Sequence, residues 1–210
     1  LGADDLVCHD VGMAELGYRA RALMGRKRQQ DRLRATLRDG LKAAVTDPLT
    51  GLYNRRYAEP QLRCLAERAG AEGRPFAMMV LDIDHFKQIN DRWGHAAGDA
   101  VLREVARRLR EAIRPVDLLA RIGGEEFLLA MPDTSESRAR FAAERLCNLI
   151  EEAPFTVPQT RRPLQVTLSI GVAMGGLEGA EAIEGVLGRA DAALYAAKTA
   201  GRNTVSLSAA

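Results

Sequence analysis

Cysteine is scarce in this chain. Cys8, Cys64 and Cys147 are the only three in 210 residues, widely spaced and odd in number. They provide neither a metal-ligand spacing nor a disulfide framework, and they read as reduced thiols of a cytoplasmic protein. An excess of one charge is also missing: 30 basic residues face 28 acidic ones, a net charge of +2. That balance argues against a nucleic-acid-binding protein. No apolar run approaches the ~20 residues needed to span a bilayer, so no membrane segment is expected. The chain starts Leu-Gly-Ala-Asp-Asp, without the basic end and apolar stretch of a secretory signal. There are no repeats and no low-complexity segments.

What is present fits one domain of ordinary size with something left over. Apolar residues make up 47% and charged residues 28%, enough for a substantial core under a normal soluble surface. Leu6-Val-Cys8 reads as a short strand after the acidic turn Asp4-Asp5. Proline is absent from Gly12 to Val45, and a long helix is expected there. Leu33, Leu37, Leu41 and Val45 form a narrow apolar stripe of the kind a paired helix uses. About two heptads are too few for a stable coiled coil on their own. Arg26-Lys-Arg28, Arg32, Arg34 and Arg38 make the same stretch basic, which reads as a solvated helix face.

Pro48 and Gly51 end that helix. Asn54-Arg55-Arg56 opens another, to about Ala69, followed by a polar loop from Gly70 to Pro75. Phe76 to Asp84 begins with six apolar residues and reads as a strand buried on both faces. Its last carboxylates, Asp82 and Asp84, share one face. Buried carboxylates are costly unless paired or bound to a cation. An Asp after a strand also serves commonly as a helix cap. Phe86 to Asp91 continues as a short helix broken at Gly94-His95. Gly98 to Arg114 is amphipathic. A helix from Thr134 to about Ala153, a strand from Gln165 to Ala173, a helix from Ala180 to Ala200 stopped by Gly201 and a strand from Asn203 to Leu207 complete the chain.

Between them lies Arg121-Ile-Gly-Gly-Glu-Glu-Phe-Leu-Leu-Ala-Met131. Leu118 to Ile122 and Phe127 to Met131 read as two strands joined by a tight turn, with Gly123-Gly124 supplying positive φ. Glu125 and Glu126 then face solvent at the tip, where the two glycines leave room for a bulky anion–metal complex. Taken alone, Gly-Gly-Glu-Glu is equally an ordinary solvated turn. Beside Asp82 and Asp84, a metal site is the better reading, and Mg²⁺ prefers one or two carboxylates plus substrate phosphates. Lys87 is either a surface lysine or a phosphate contact. An Asp and an Asn are suited to guanine, which draws attention to Asn90 and Asp99, although their spacing does not by itself establish this.

From residue 76 the order is strand, helix, strand-turn-strand, helix, strand, helix, strand. The fold class is α+β: a βαββαβ core with a mostly antiparallel central sheet, preceded by a long helix. That core resembles the palm of polymerases and of class III nucleotide cyclases. In such a sheet the first strand and the hairpin turn are neighbours, which places Asp82 and Glu125 at one edge.

Gly123-Gly-Glu-Glu-Phe127 resembles the signature of the GGDEF family of diguanylate cyclases, in its GGEEF form. Asp47-Pro-Leu-Thr-Gly-Leu-Tyr-Asn-Arg-Arg56, Asp82-Ile-Asp-His-Phe-Lys87, Asn90-Asp91, Gly94-His95, Gly98-Asp99, Ala197-Lys198 and Gly201-Arg-Asn203 follow the family's order and spacing. The similarity covers residues 47 to 208. Gly2 to Leu16, leading into an arginine-bearing helix, resembles the last strand and helix of a response-regulator receiver domain, although His9-Asp10 stands where that family has Lys-Pro. The expected organisation is a C-terminal receiver remnant (1–29), a helical linker (30–46) and a GGDEF domain (47–210), as in PleD-type response regulators.

The resemblance implies a cytoplasmic enzyme that condenses two GTP into cyclic di-GMP and two pyrophosphates, each domain of a homodimer holding one GTP. It implies two Mg²⁺ ions per GTP, with Mn²⁺ an alternative, held by Asp82, the Ile83 carbonyl and Glu125. Glu126 would serve as metal partner or general base, and Arg121 would stabilise the transition state. Asn90 and Asp99 would read guanine. Phe86, Lys87, Gly123, Gly124, Lys198 and Arg202 would line the nucleotide site. Arg114-Pro-Val-Asp117 resembles the family's inhibitory Arg-x-x-Asp site for the product, with Arg145 and Arg68 as secondary contacts. Two alternatives stand beside this reading: an inactive cyclic di-GMP receptor and a structural dimerisation module. A degenerate receptor usually keeps Arg-x-x-Asp and loses Gly-Gly-Glu-Glu; here both are present. The density of motifs argues against the dimerisation module.

Overall fold

The computed structural model describes residues 12–157, 163–176 and 182–208. The strand expected at Leu6 to Cys8 lies outside them. The chain divides into two compact units, 1–44 and 45–210. The first contains most of α1 (Met13–Val45), one unbroken helix of 33 residues. Glu15 and Arg19 pair across one turn at 2.8 Å on its surface, an arrangement worth a few tenths of a kcal/mol. Leu33 and Leu41 of its apolar stripe are exposed.

The second unit runs β1 (Tyr53–Asn54), α2 (Arg55–Glu72), β2 (Phe76–Ile83), α3 (Phe86–Trp93), α4 (His95–Ala112), β3 (Leu118–Arg121), β4 (Glu126–Met131), α5 (Glu136–Glu152), β5 (Leu168–Gly175), α6 (Ile183–Thr199) and β6 (Val205–Leu207). One sheet has the order β1-β3-β4-β2-β5-β6. The three inner pairings are antiparallel, and the outer ones, β1 with β3 and β5 with β6, are parallel. The βαββαβ core with a mostly antiparallel sheet is therefore observed.

β2 and β4 lie at the centre, and their side chains alternate between two cores. Ala77, Met79, Leu81 and Ile83 join Phe127, Leu129 and residues of α4 and α5 on one face. Phe76, Met78 and Val80 join Leu128, Ala130 and residues of α2 and α6 on the other. Period 2 along a strand covered on both sides produces this alternation. Each fully buried large apolar side chain contributes roughly 1.5–3 kcal/mol over exposure.

Several boundaries differ from expectation. α2 extends to Glu72, so the loop shrinks to Gly73–Pro75. Its start is capped by Asn54, whose side chain accepts from the Tyr57 amide at 2.9 Å. Asn54 also belongs to β1, a two-residue strand too short to leave a periodic signal. α4 begins at His95 rather than Gly98, because Gly94 at φ 81° lets the chain turn directly from one helix into the next. Gly171 of β5 lies against α6: a Cβ there would stand 2.1 Å from the Ala190 carbonyl and 2.2 Å from the Leu194 amide. Only glycine allows that helix to lie so close to the sheet.

Candidate active site

The carboxyl end of β2 and the β3–β4 turn meet at one edge of the sheet. Asp82 stands opposite Glu126 in the β2–β4 register, and the Ile83 amide donates to the Glu125 carbonyl at 3.3 Å. Asp82 is 6% exposed. Glu125 is half-buried and Glu126 exposed. On the far side of Asp82, Lys198 from the last turn of α6 brings its Nζ to 2.8 Å from the carboxylate. Burial pushes the Asp82 carboxyl up, and the charges of Glu126 and Asp84 add to the rise; hydrogen bonding and attraction from Lys198 only partly offset it. Such a carboxylate gains from any further cation.

The turn is closed in an unexpected way. Neither Gly123 nor Gly124 has positive φ, so the predicted left-handed turn is corrected. The Ile122 and Gly123 amides both point to the Glu126 carbonyl, at 3.0 and 3.4 Å, and bridge the strands without a primed turn. The glycines matter for space instead. A Cβ on Gly123 would stand 2.4 Å from the Glu126 Oε2, and nothing lies within 4 Å of one on Gly124. A large ligand can approach the backbone there.

Arg121 buttresses the turn. Its Nε and Nη2 donate to the Gly124 carbonyl at 3.1 and 2.7 Å. Its Nη1 reaches both oxygens of Asp47, at 3.1 and 3.2 Å. Asp47 also accepts from the Thr50 amide and hydroxyl. Burial pushes the Asp47 carboxyl up, but these donors and Arg121 outweigh it and hold the group below the usual carboxylate range. The guanidinium expected to stabilise a transition state thus ties the 47–50 turn to the hairpin.

Asp84 is held by three donors of the protein itself. Its oxygens accept from the Ser169 and Thr167 hydroxyls, both at 2.7 Å, and from the Asn203 amide at 3.0 Å. Among the described residues no three acidic, His or Cys side chains converge as a metal cluster. A divalent ion here would draw on the Asp82 and Glu125 carboxylates and the Ile83 carbonyl, and would need the oxygens of a phosphate ligand to complete its shell. This donor set fits Mg²⁺, which commonly uses one or two carboxylates plus substrate phosphates.

The other expected nucleotide contacts lie on α3, α4 and the turn after α6. Phe86 and Lys87 begin α3, whose first amides have no intrahelical acceptor; Phe86 is buried and Lys87 exposed. Asn90 packs over Gly98, where a Cβ would come within 2.0 Å of its Oδ1. The next residue, Asp99, is half-exposed, 4.0 Å from Arg103. Arg202 is exposed in the turn after α6. Three features were not anticipated: the Asp47–Arg121 pair, the Lys198–Asp82 contact and the Asp84 network. The polar alternation Thr167-x-Ser169 in an apolar strand was the one available signal.

Residues 44–204 match the family described as "Diguanylate cyclase, GGDEF domain". The chain belongs to the GGDEF family. It is 46% identical to the response regulator PleD of Caulobacter vibrioides, over 98% of this chain and 45% of that protein. It is 42% identical to the diguanylate cyclase DgcP of Pseudomonas aeruginosa, over 92% of this chain and 29% of that one. The chain thus spans less than half the length of these relatives. Among solved structures, the coiled coil and GGDEF domain of DgcB from Caulobacter crescentus, in complex with c-di-GMP, superposes with a TM-score of 0.80 at 34% identity, covering 90% of this chain and 98% of that one.

A second constellation of this GGDEF domain lies at the opposite end of the β3–β4 hairpin. Arg114 grips Asp117 through Nε and Nη2 (2.7 Å at the shortest), and the Arg114 amide donates to the same carboxylate. The Asp117 side chain is fully buried, while that of Arg114 is 46% exposed. Arg114 Nη2 also reaches the Pro132 carbonyl and the Thr134 hydroxyl. A groove of about 350 Å³ beside Asp117 is lined by Arg68, Tyr53 and Tyr57 among others. Arg145 lies outside it and donates to the Ala112 carbonyl at the end of α4. Among the described residues no helix is long and apolar enough to cross a membrane.

Proposed function

We propose that this chain is the catalytic part of a diguanylate cyclase, condensing two GTP into cyclic di-GMP and two pyrophosphates. The observation that carries the reading is the β2–β4 pairing, with Glu126 opposite Asp82 and the Glu125 carbonyl on the Ile83 amide at the end of β2, in a chain that belongs to the GGDEF family. Two carboxylates with an open approach over Gly123-Gly124 suit a triphosphate accompanied by divalent ions, not a bare anion. Bound Mg²⁺ would neutralise the triphosphate and favour departure of pyrophosphate.

This chain's own residues bind and orient. Asn90 and Asp99 meet the guanine, Asp99 accepting from its N–H groups. The α3 amides, Lys87, Lys198 and Arg202 face the phosphates. Lys198, which pairs with Asp82 at 2.8 Å, would turn to a phosphate oxygen of a bound nucleotide. Each ribose 3′-oxygen forms a bond to the α-phosphorus of the other GTP as the bond to pyrophosphate breaks, and each 3′-hydroxyl loses one proton, with Glu126 placed to receive it. The reaction needs two domains face to face, because each site holds one nucleotide. Arg114 and Asp117, with the Arg68 groove, form the product's inhibitory site. A guanidinium fork suits phosphate or a guanine edge, and occupancy there would shift the population away from the productive pair.

The test is incubation with GTP and Mg²⁺ over a protein concentration series, followed by nucleotide separation. Cyclic di-GMP should form at a rate steeper than linear in protein, and Glu125→Ala should abolish turnover while sparing product binding. Turnover surviving that change would remove the metal assignment. Tight cyclic di-GMP binding with no turnover, even after fusion of a dimerising helix before Gln29, would leave a receptor.

A further inference from the structure

Asp84 is 5% exposed, and three neutral donors hold it: the Ser169 hydroxyl on Oδ1, and the Thr167 hydroxyl and Asn203 amide on Oδ2. Its own amide donates to the Thr167 carbonyl at 3.0 Å. A buried carboxylate carries a desolvation cost that a core serving only packing would avoid.

The chain on both sides of this carboxylate is strained. His85, the next residue, has φ 56° and starts α3; Arg202 and Asn203 have φ 64° and 46°. Left-handed backbone costs a non-glycine residue roughly 1–2 kcal/mol, and it persists where surrounding contacts over-determine it. The Asn203 side chain does not supply the hold, since its Oδ1 is buried without a hydrogen-bond partner. The Asn203 amide does, through Asp84. The strained turns flank the groups placed on the triphosphate: Phe86 and Lys87 after the first, Lys198 and Arg202 before and within the second.

We propose that Asp84 is a positioning residue: it clamps the 201–203 turn to the end of β2 and so fixes the two sides of the triphosphate cradle relative to each other, without ligating metal itself. The inference rests on the cyclase reading. Atom for atom, it predicts which substitutions are tolerated. Asparagine keeps one oxygen to accept from Thr167 and Asn203, and its amide can donate to the Ser169 hydroxyl, which turns to accept. Alanine loses all three bonds. A metal ligand would tolerate neither change, because a neutral amide replaces a carboxylate poorly.

The experiment measures Kd by calorimetry, with Mg²⁺, for α,β-methylene GTP (which cannot release pyrophosphate) and for GMP. In Asp84→Ala the analogue should bind at least tenfold more weakly, with GMP changed less than threefold. In Asp84→Asn both should stay within threefold of the unaltered protein. Equal loss of the analogue in both variants would make Asp84 a ligand, and parallel loss of analogue and GMP would make it a general structural residue; either result overturns the proposal. Hydrogen exchange on the unaltered protein gives a reading that needs no variant. The Asn203 amide should exchange at least a hundredfold more slowly than an open peptide, and exchange at the peptide rate would show that no clamp exists. If the unaltered protein bound no analogue at all, the cyclase reading would fail while the exchange measurement still reported on the clamp.

Discussion

Replacing Lys198 by methionine keeps most of the side chain's unbranched stem and removes the one cation seen at Asp82 among the described residues, 2.8 Å away. Breaking a fully buried ion pair from one side costs about 3–5 kcal/mol, because the remaining charge has no partner. Here the Lys198 side chain keeps 33% of its exposure, so water can reach the vacated position. The cost should fall to about 1–3 kcal/mol at pH 7.5 on the same scale. Its pH dependence has a definite sign. Burial, the first cause, already raises the Asp82 carboxyl, and Lys198 opposes that rise. Removing Lys198 raises it further. A group whose folded-state pKa is raised contributes stability below its unfolded value, near 3.9, and loses it as pH rises through the folded value. The penalty of Lys198→Met should therefore shrink on acidification from pH 7.5 to pH 5, by at most about 1.4 kcal/mol for every tenfold weakening of the Asp82 acid that the substitution causes. Urea unfolding of both proteins at both pH values measures it, and effects of other titrating groups cancel in the difference. A penalty below about 0.5 kcal/mol, the usual scatter of surface substitutions, or one identical at both pH values, would refute the reasoning: Asp82 would then be solvated well enough to need no cation.

Asp47→Ala should detach the hairpin buttress. A double-mutant cycle with Arg121→Ala should return a coupling of about 0.5–3 kcal/mol, and the Asp47 contribution, because its carboxyl is held low, should be present above pH ~4 and lost as pH falls through the folded value; a coupling near zero would dismiss the buttress. Gly171→Val places a side chain within 2.1–2.2 Å of the α6 backbone, so the melting temperature should drop by several degrees, at about 2–4 °C per kcal/mol for a domain of this size, with Lys198 displaced as α6 shifts; calorimetry showing an unchanged melting temperature would contradict the close approach. Arg114→Ala should weaken product inhibition by about tenfold or more through loss of a charge-assisted contact of about 1.5–3 kcal/mol, read as the cyclic di-GMP concentration halving the initial rate; unchanged inhibition would move the inhibitory site elsewhere.

Local order and spacing were legible in the chain; long-range partnership was not. The unbroken apolar run from Phe76 to Leu81 and the apolar arms around Gly123-Gly124 suffice for a central strand beside a hairpin, and thus for the end of β2 beside the Glu125-Glu126 turn. β1 was invisible because two residues carry no period. The failure at Asp84 is more instructive. Asp82 and Asp84 are two apart at the end of one buried strand, and spacing alone treats them alike. Their fates diverge through partners 83, 85 and 119 positions away, set by the β2–β5 register that aligns Asp82 with Ser169. A one-residue slip would turn Thr167 and Ser169 to the other face. That register is held by apolar residues on both strands and by Gly171, which admits α6 from the same side. The core therefore decides which of two identical carboxylates is left open to a cation and which is closed by hydroxyls and an amide. A substitution that slipped the register by one residue would strip the hydroxyls from Asp84 without altering any residue of the Asp-x-Asp motif.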